Sequence, residues 1–157
     1  MEIQLICVGK TVQSFLSNAM NEYQKRLKNY IKFSIICLPN IKISKKIDPV
    51  KVKEEESKLF LQKLKKNDTV ILLDEKGESF SSKAFSNEIE NYMIKGKKKV
   101  IFLVGGVYGF SDQLSLMFPK QIALSQMTFS HQMIRLFFCE QLYRAFTIIN
   151  NHPYHNS

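Results

Sequence analysis

Residues 100–104 read Val-Ile-Phe-Leu-Val, and Gly105-Gly106-Val107-Tyr108-Gly109 follows at once. A strand with no polar residue on either face belongs at the centre of a parallel sheet, covered by helices above and below. Such a sheet needs a chain in which strands alternate with helices, and the rest of the sequence supplies that alternation. Strands are predicted over 2–8, 33–38, 69–73 and 121–125. Helices are predicted over 14–28, where Phe15, Ala19, Met20, Tyr23 and Leu27 fall at helical spacing, and over 49–64, opened by Pro49. Further helices are predicted over 82–95, carrying Ala84, Phe85, Ile89 and Met93, in a short segment capped by Ser111 and ending before Pro119, and over 131–150. Asp74-Glu75-Lys76-Gly77 reads as a turn, and the lysine-rich stretch 40–48 as a loop. The expectation is an α/β parallel-sheet fold in a single domain over 1–157, without internal repeat or linker.

Composition narrows the class. The chain has 157 residues and is 45% hydrophobic, enough for a core, and carries 23 Lys+Arg against 14 Asp+Glu, a net charge of +9. A basic domain of this kind meets polyanions, of which nucleic acid is the commonest, although a solvated surface gives the same count. The three cysteines, Cys7, Cys37 and Cys139, sit in apolar runs with no C-x-x-C spacing and read as reduced core residues of a cytoplasmic protein. Neither a signal peptide nor a membrane-spanning stretch is expected.

In an open parallel sheet, ligands bind beyond the carboxyl ends of the strands. Three segments leave strands there: 73–77, 105–109 and 124–129. The glycine turn 105–109 follows a strand and precedes a helix, but it is neither G-x-G-x-x-G nor G-x-x-x-x-G-K-[ST], so dinucleotide or triphosphate binding is unsupported. No metal is expected, because His152 and His155 make an H-x-x-H without neighbouring cysteine or carboxylate ligands. No serine stands in a G-x-S-x-G elbow and no cysteine has an evident base partner, which removes the hydrolase readings.

The predicted final helix is apolar over most of its circumference: Met133, Ile134, Leu136, Phe137, Phe138, Cys139, Leu142, Phe146, Ile148 and Ile149. A helix of that kind is buried on more than one side. In a chain this short a second copy is the natural cover, so a homodimer is expected. Against that background the polar residues stand out. His131 and Arg135 share a face, and Glu140 and Arg144 are spaced to pair. Arg144 reads either as a structural ion-pair partner or as a cation for phosphate or developing charge. The tail Asn151-His152-Pro153-Tyr154-His155 reads as a frayed end or as stacking and hydrogen-bonding groups of a nucleotide pocket.

Several segments together resemble the ribosomal large-subunit pseudouridine N3-methyltransferase family of SPOUT enzymes. They are Ile3-Gln4-Leu5-Ile6-Cys7-Val8-Gly9-Lys10, Glu22-Tyr23-x-x-Arg26-Leu27, Phe102-Leu103-Val104-Gly105-Gly106-x-x-Gly109, Ala123-Leu124-Ser125-x-Met127-Thr128-Phe129-x-His131, Glu140-Gln141-Leu142-Tyr143-Arg144-Ala145 and His152-Pro153-Tyr154-His155. The resemblance covers the whole chain in order. It implies a trefoil knot in the C-terminal third, a homodimer packed through the terminal helices, and S-adenosylmethionine as cofactor. Carried over by position, the cofactor contacts are Leu73, Gly105, Leu124, Ser125, Gln126, Met127, Thr128 and Phe129, and the groups that position the base and stabilise charge are His131, Arg144, Tyr154 and His155. The chain departs from the family at Ser130, where proline is common, in Val107-Tyr108 of the glycine turn, and in a shortened segment before Ala123. The implied substrate is ribosomal RNA, met on an assembled ribosomal surface. Lysines of 40–53 and 95–99 are the expected phosphate contacts. A SPOUT enzyme acting on transfer RNA and a non-catalytic RNA- or ribosome-binding protein of the same fold remain open at this point.

Overall fold

The computed structural model describes residues 1–41 and 48–154. In chain order the elements are β1 (Glu2–Val8), α1 (Ser14–Leu27), β2 (Lys32–Leu38), α2 (Pro49–Leu61), β3 (Thr69–Ser79), α3 (Ser82–Ile94), β4 (Lys99–Val104), α4 (Asp112–Met117), β5 (Gln121–Ala123) and α5 (His131–Ile149). The five strands form one sheet in the order β2-β1-β4-β3-β5, with every pairing parallel. All carboxyl ends therefore lie along one edge.

The apolar run of β4 takes the central place its composition requires. Val100, Phe102 and Val104 face a core shared with Met20 and Leu27 of α1, Phe85 and Ile89 of α3, and Phe138 and Leu142 of α5. Ile101 and Leu103 face the other side, against Phe60 of α2 and Leu114 of α4. The Phe102 and Phe138 ring centroids are 4.6 Å apart, which ties α5 to the sheet centre. Helix starts follow the capping residues: the side chains of Asp48, Ser81, Ser111 and Ser130 each accept a hydrogen bond from a first-turn N–H.

Several expectations shift. Residues 74–77 are not a turn that ends a strand. β3 continues to Ser79 because β5 pairs with it twice, through Leu72 and Leu73 and again through Glu78 and Ser79. The four residues between bulge outward around an Asx-type turn, in which Asp74 Oδ1 accepts from Lys76 N at 2.9 Å. Gly77 lies against β5 so closely that a Cβ there would stand 2.5 Å from the Ile122 nitrogen. Phe15 is 62% exposed, and Leu16 takes the inward position instead. The stripe Leu16–Met20–Leu27 faces the sheet, and one residue back rotates a side chain about 100° away from it. Cys37 is exposed, since β2 is an edge strand, while Cys7 and Cys139 are buried. α2 ends at Leu61, so Lys63, Lys65 and Lys66 lie beyond it, and β5 ends at Ala123, which leaves Leu124 and Ser125 to the loop that follows. Among the described residues no helix is long and apolar enough to cross a membrane.

Candidate active site

The three strand-end segments converge on one cleft of about 910 Å³ at the carboxyl edge of the sheet. Leu73, Gly105, Leu124, Ser125, Met127, Thr128 and Phe129 line it, and so does His131; Gln126 does not.

Each wall has a local cause. The glycine turn closes on itself: Gly109 N donates to Gly106 O at 3.1 Å, and Gly109 adopts φ +73°. A Cβ at Gly105 would stand 2.9 Å from the Gly109 carbonyl carbon, so the tight turn requires glycine at that position. In the loop before α5, Ser125 Oγ accepts from Met127 N at 2.9 Å. Thr128 Oγ1 donates to Glu75 Oε2 at 2.7 Å, which fastens this loop to the bulge of β3. The Phe129 ring meets Phe137 of α5 edge-on at 4.8 Å. Ser130 is the N-cap of α5 and accepts from Met133 N at 3.2 Å. The cleft is thus built from mutually tethered loops.

His131 is the first residue of α5 and lines this cleft. Burial, with the Arg135 guanidinium beside it, holds its pKa below the ordinary value. At neutral pH the ring is uncharged, with one nitrogen able to donate and the other to accept. Arg135 points away from the cleft. It is fully buried and donates to the carbonyls of Val8 at 2.6 Å and Gly9 at 2.8 Å, which makes it a brace between α5 and the end of β1.

Arg144 and Tyr154 form a separate cluster. Arg144 Nε donates to Glu140 Oε1 at 3.0 Å, and its guanidinium lies over the Tyr154 ring at 4.9 Å. The Tyr154 hydroxyl stands 3.3 Å from that of Tyr23. Burial and Tyr23 push the Tyr154 phenol above its ordinary pKa range, so it remains a proton donor. Arg144 lies thirteen helical positions beyond His131, roughly 20 Å along α5. Within one chain, then, these two sets of groups are not brought together. His155 lies outside the described residues, as do Lys42, Lys45 and Lys46. Lys53 lines the cleft, whereas Lys95, Lys97 and Lys98 are exposed at the amino end of β4, a strand's length of roughly 20 Å from it.

The sequence reading passed over Glu56, although helical spacing marks it. Val52, Glu56 and Phe60 recur every four residues and all three are buried. Glu56 Oε2 accepts from the backbone N of Gly106 at 3.2 Å. Burial pushes the carboxyl pKa up, with the Gly106 N–H opposing. Cys7, by contrast, is held inert: burial raises its thiol to about 12. Among the described residues no group of three or more His, Cys, Asp and Glu side chains is placed to share a metal ion.

A family model described as "Predicted SPOUT methyltransferase" matches residues 1–155. The chain belongs to the SPOUT methyltransferase family. Its relatives include proteins named "Ribosomal RNA large subunit methyltransferase H" from Flavobacterium psychrophilum, 49% identical, Flavobacterium johnsoniae, 48%, and Christiangramia forsetii, 47%. Each alignment covers 99% of both chains. For this SPOUT methyltransferase the cleft among the glycine turn, the β3 bulge and the loop before α5 is the candidate site of methyl transfer.

Proposed function

We propose that this chain methylates large-subunit ribosomal RNA, at N3 of a pseudouridine, with S-adenosylmethionine as methyl donor. The observation that carries the reading is the likeness, over 99% of both chains, to relatives named for large-subunit ribosomal RNA methylation. The cleft fits the donor. Its apolar walls, Leu73, Leu124, Phe129 and Ile134, suit an adenosine, and Gly105 lets backbone approach a ligand where a Cβ would not fit.

When bound, the cofactor supplies a methyl group on a positively charged sulfur. The residues of the chain position the ring nitrogen in line with it and exclude water. The nitrogen loses its proton as it attacks, so charge develops on the ring carbonyls. Neutral His131, lining the cleft, can hold that edge of the base. Arg144, Tyr154 and His155 stabilise the charge as cation and donors.

In this reading the last three come from a second copy. Met133, Phe137, Arg144 and Ile148 form a half-buried stripe along α5, away from the face packed on the sheet. A two-fold pairing along that stripe covers its apolar members and carries the Arg144 end of one helix toward the His131 end of its partner. The trefoil knot, threading the loop before α5, keeps the three cleft walls together. The protein works in the cytoplasm, on an assembled ribosomal surface.

The test is mass spectrometry of RNA from a strain lacking the protein, before and after the purified protein and S-adenosylmethionine are added to its ribosomes. A pseudouridine of large-subunit RNA gains one methyl group. Methyl gain on transfer RNA alone, or an unchanged pattern, overturns the reading.

A further inference from the structure

Among the described residues Glu56 is the one buried carboxylate, 6% exposed, and no lysine or arginine among them forms an ion pair with it. Its carboxyl group lies directly over Gly106, where a Cβ would stand 2.2 Å from Oε1. One backbone N–H, from Gly106, is its hydrogen-bond partner. A buried anion held by a single neutral donor is under-compensated, and the deficit is removed most effectively by a cation. Glu56 also lines a second cavity of about 330 Å³, together with Asn40, Ile41, Tyr108 and His131. This cavity and the large cleft share Gly106, Val107, Tyr108 and His131, so the glycine turn is a wall common to both.

We propose that this side pocket takes the α-amino-acid end of the methyl donor, its ammonium donating to the Glu56 carboxylate. The inference rests on the reading of the large cleft as the S-adenosylmethionine site. An amino-acid terminus carries a cation and an anion within a few bonds. The pocket offers the matching set: one carboxylate for the ammonium, and the Asn40 amide as a donor for the carboxylate. The adenosine half keeps the larger, apolar-walled cleft. A neutral occupant would leave Glu56 as it stands, buried and without a counter-charge. Glu56 therefore contributes to binding through its charge as well as by holding the Gly106 N–H.

Titration calorimetry on the full chain separates these roles with Glu56→Gln, whose amide oxygen can still accept from Gly106. Three ligands are compared: S-adenosylmethionine; S-adenosylhomocysteine, which keeps the ammonium but has a neutral sulfur; and methylthioadenosine, which lacks the amino-acid end. Glu56→Gln weakens the first two alike, by about ten- to a hundredfold, and leaves methylthioadenosine unchanged. Asn40→Ala weakens the same two, by a smaller factor, and also spares methylthioadenosine. Undiminished binding of S-adenosylmethionine to Glu56→Gln overturns the proposal. Equal loss of all three ligands overturns it too, leaving Glu56 a brace for the turn, and loss for S-adenosylmethionine alone moves the carboxylate to the sulfonium. A wild-type chain that binds none of the three sinks the cofactor reading itself, an outcome distinct from any result on the variants.

Discussion

Arg135, 127 residues beyond Val8 in the chain yet packed against the end of β1, donates from Nη2 to the Val8 carbonyl at 2.6 Å and from Nη1 to the Gly9 carbonyl at 2.8 Å. It is fully buried, and its compensation comes from strand-end carbonyls and the Thr11 hydroxyl. Arg135→Met leaves those acceptors buried and unpaired, at a cost of about 2–4 kcal/mol in urea unfolding. Arg135→Lys recovers only part, since one ammonium cannot reproduce the fork. Stability of the Met variant equal to wild type refutes the bracing role.

His131 gives a pH dependence of known sign. Its folded pKa lies below the ordinary value of 6.5, chiefly through burial and then through Arg135. Below that ordinary value the unfolded chain takes up a proton that the folded chain refuses. The associated stability is therefore complete above about pH 6.5 and is lost as pH falls toward the depressed folded pKa. Thermal unfolding of His131→Gln between about pH 7.5 and 5.5 shows a flatter slope than wild type. Identical slopes would contradict the assignment.

The α5 stripe is tested by charge. Analytical ultracentrifugation gives wild type at twice the chain mass of 18.3 kDa. Met133→Glu combined with Ile148→Glu places carboxylates on the proposed interface and yields monomer that retains its helical circular dichroism. A dimer that persists in the double variant means the stripe is not the interface.

For Arg144, the measurement is single-turnover methyl transfer beside cofactor affinity. Arg144→Ala lowers the rate by about a hundredfold or more while S-adenosylmethionine binds as before. A fall in affinity with an unchanged bound-state rate would place Arg144 in cofactor binding instead.

Two groups of lysines separate RNA contact from mere positive charge. Lys53 lines the cleft, and Lys97 and Lys98 lie at the opposite edge. Lys53→Ala weakens RNA binding and lowers the salt slope by about one unit, whereas Lys97→Ala with Lys98→Ala changes neither. The reverse result would put the RNA on the far edge.

The chain alone determined the layered architecture. An all-apolar β4 between helical-period segments admits little besides a parallel sheet covered on both faces, because burial on two sides leaves no polar position. The same logic located the cleft, since parallel strands place every following loop at one edge. The Ser111 cap and the glycine turn were equally legible, because their causes lie within a few residues of one another. Tertiary structure decided what depends on distant partners. Residues 74–77 looked like a terminal turn until β5 paired on both sides of them. Phe15 looked like core until the direction of the α1 stripe was set by the sheet. Arg135 and Arg144, nine residues apart on one helix, were separated into a buried brace and a half-exposed cluster only by what packs around each. Helical spacing with Val52 and Phe60 already put Glu56 on the inward face of α2, but only folding, which carried α2 over Gly106, decided that this carboxylate loses water without gaining a cation among the described residues.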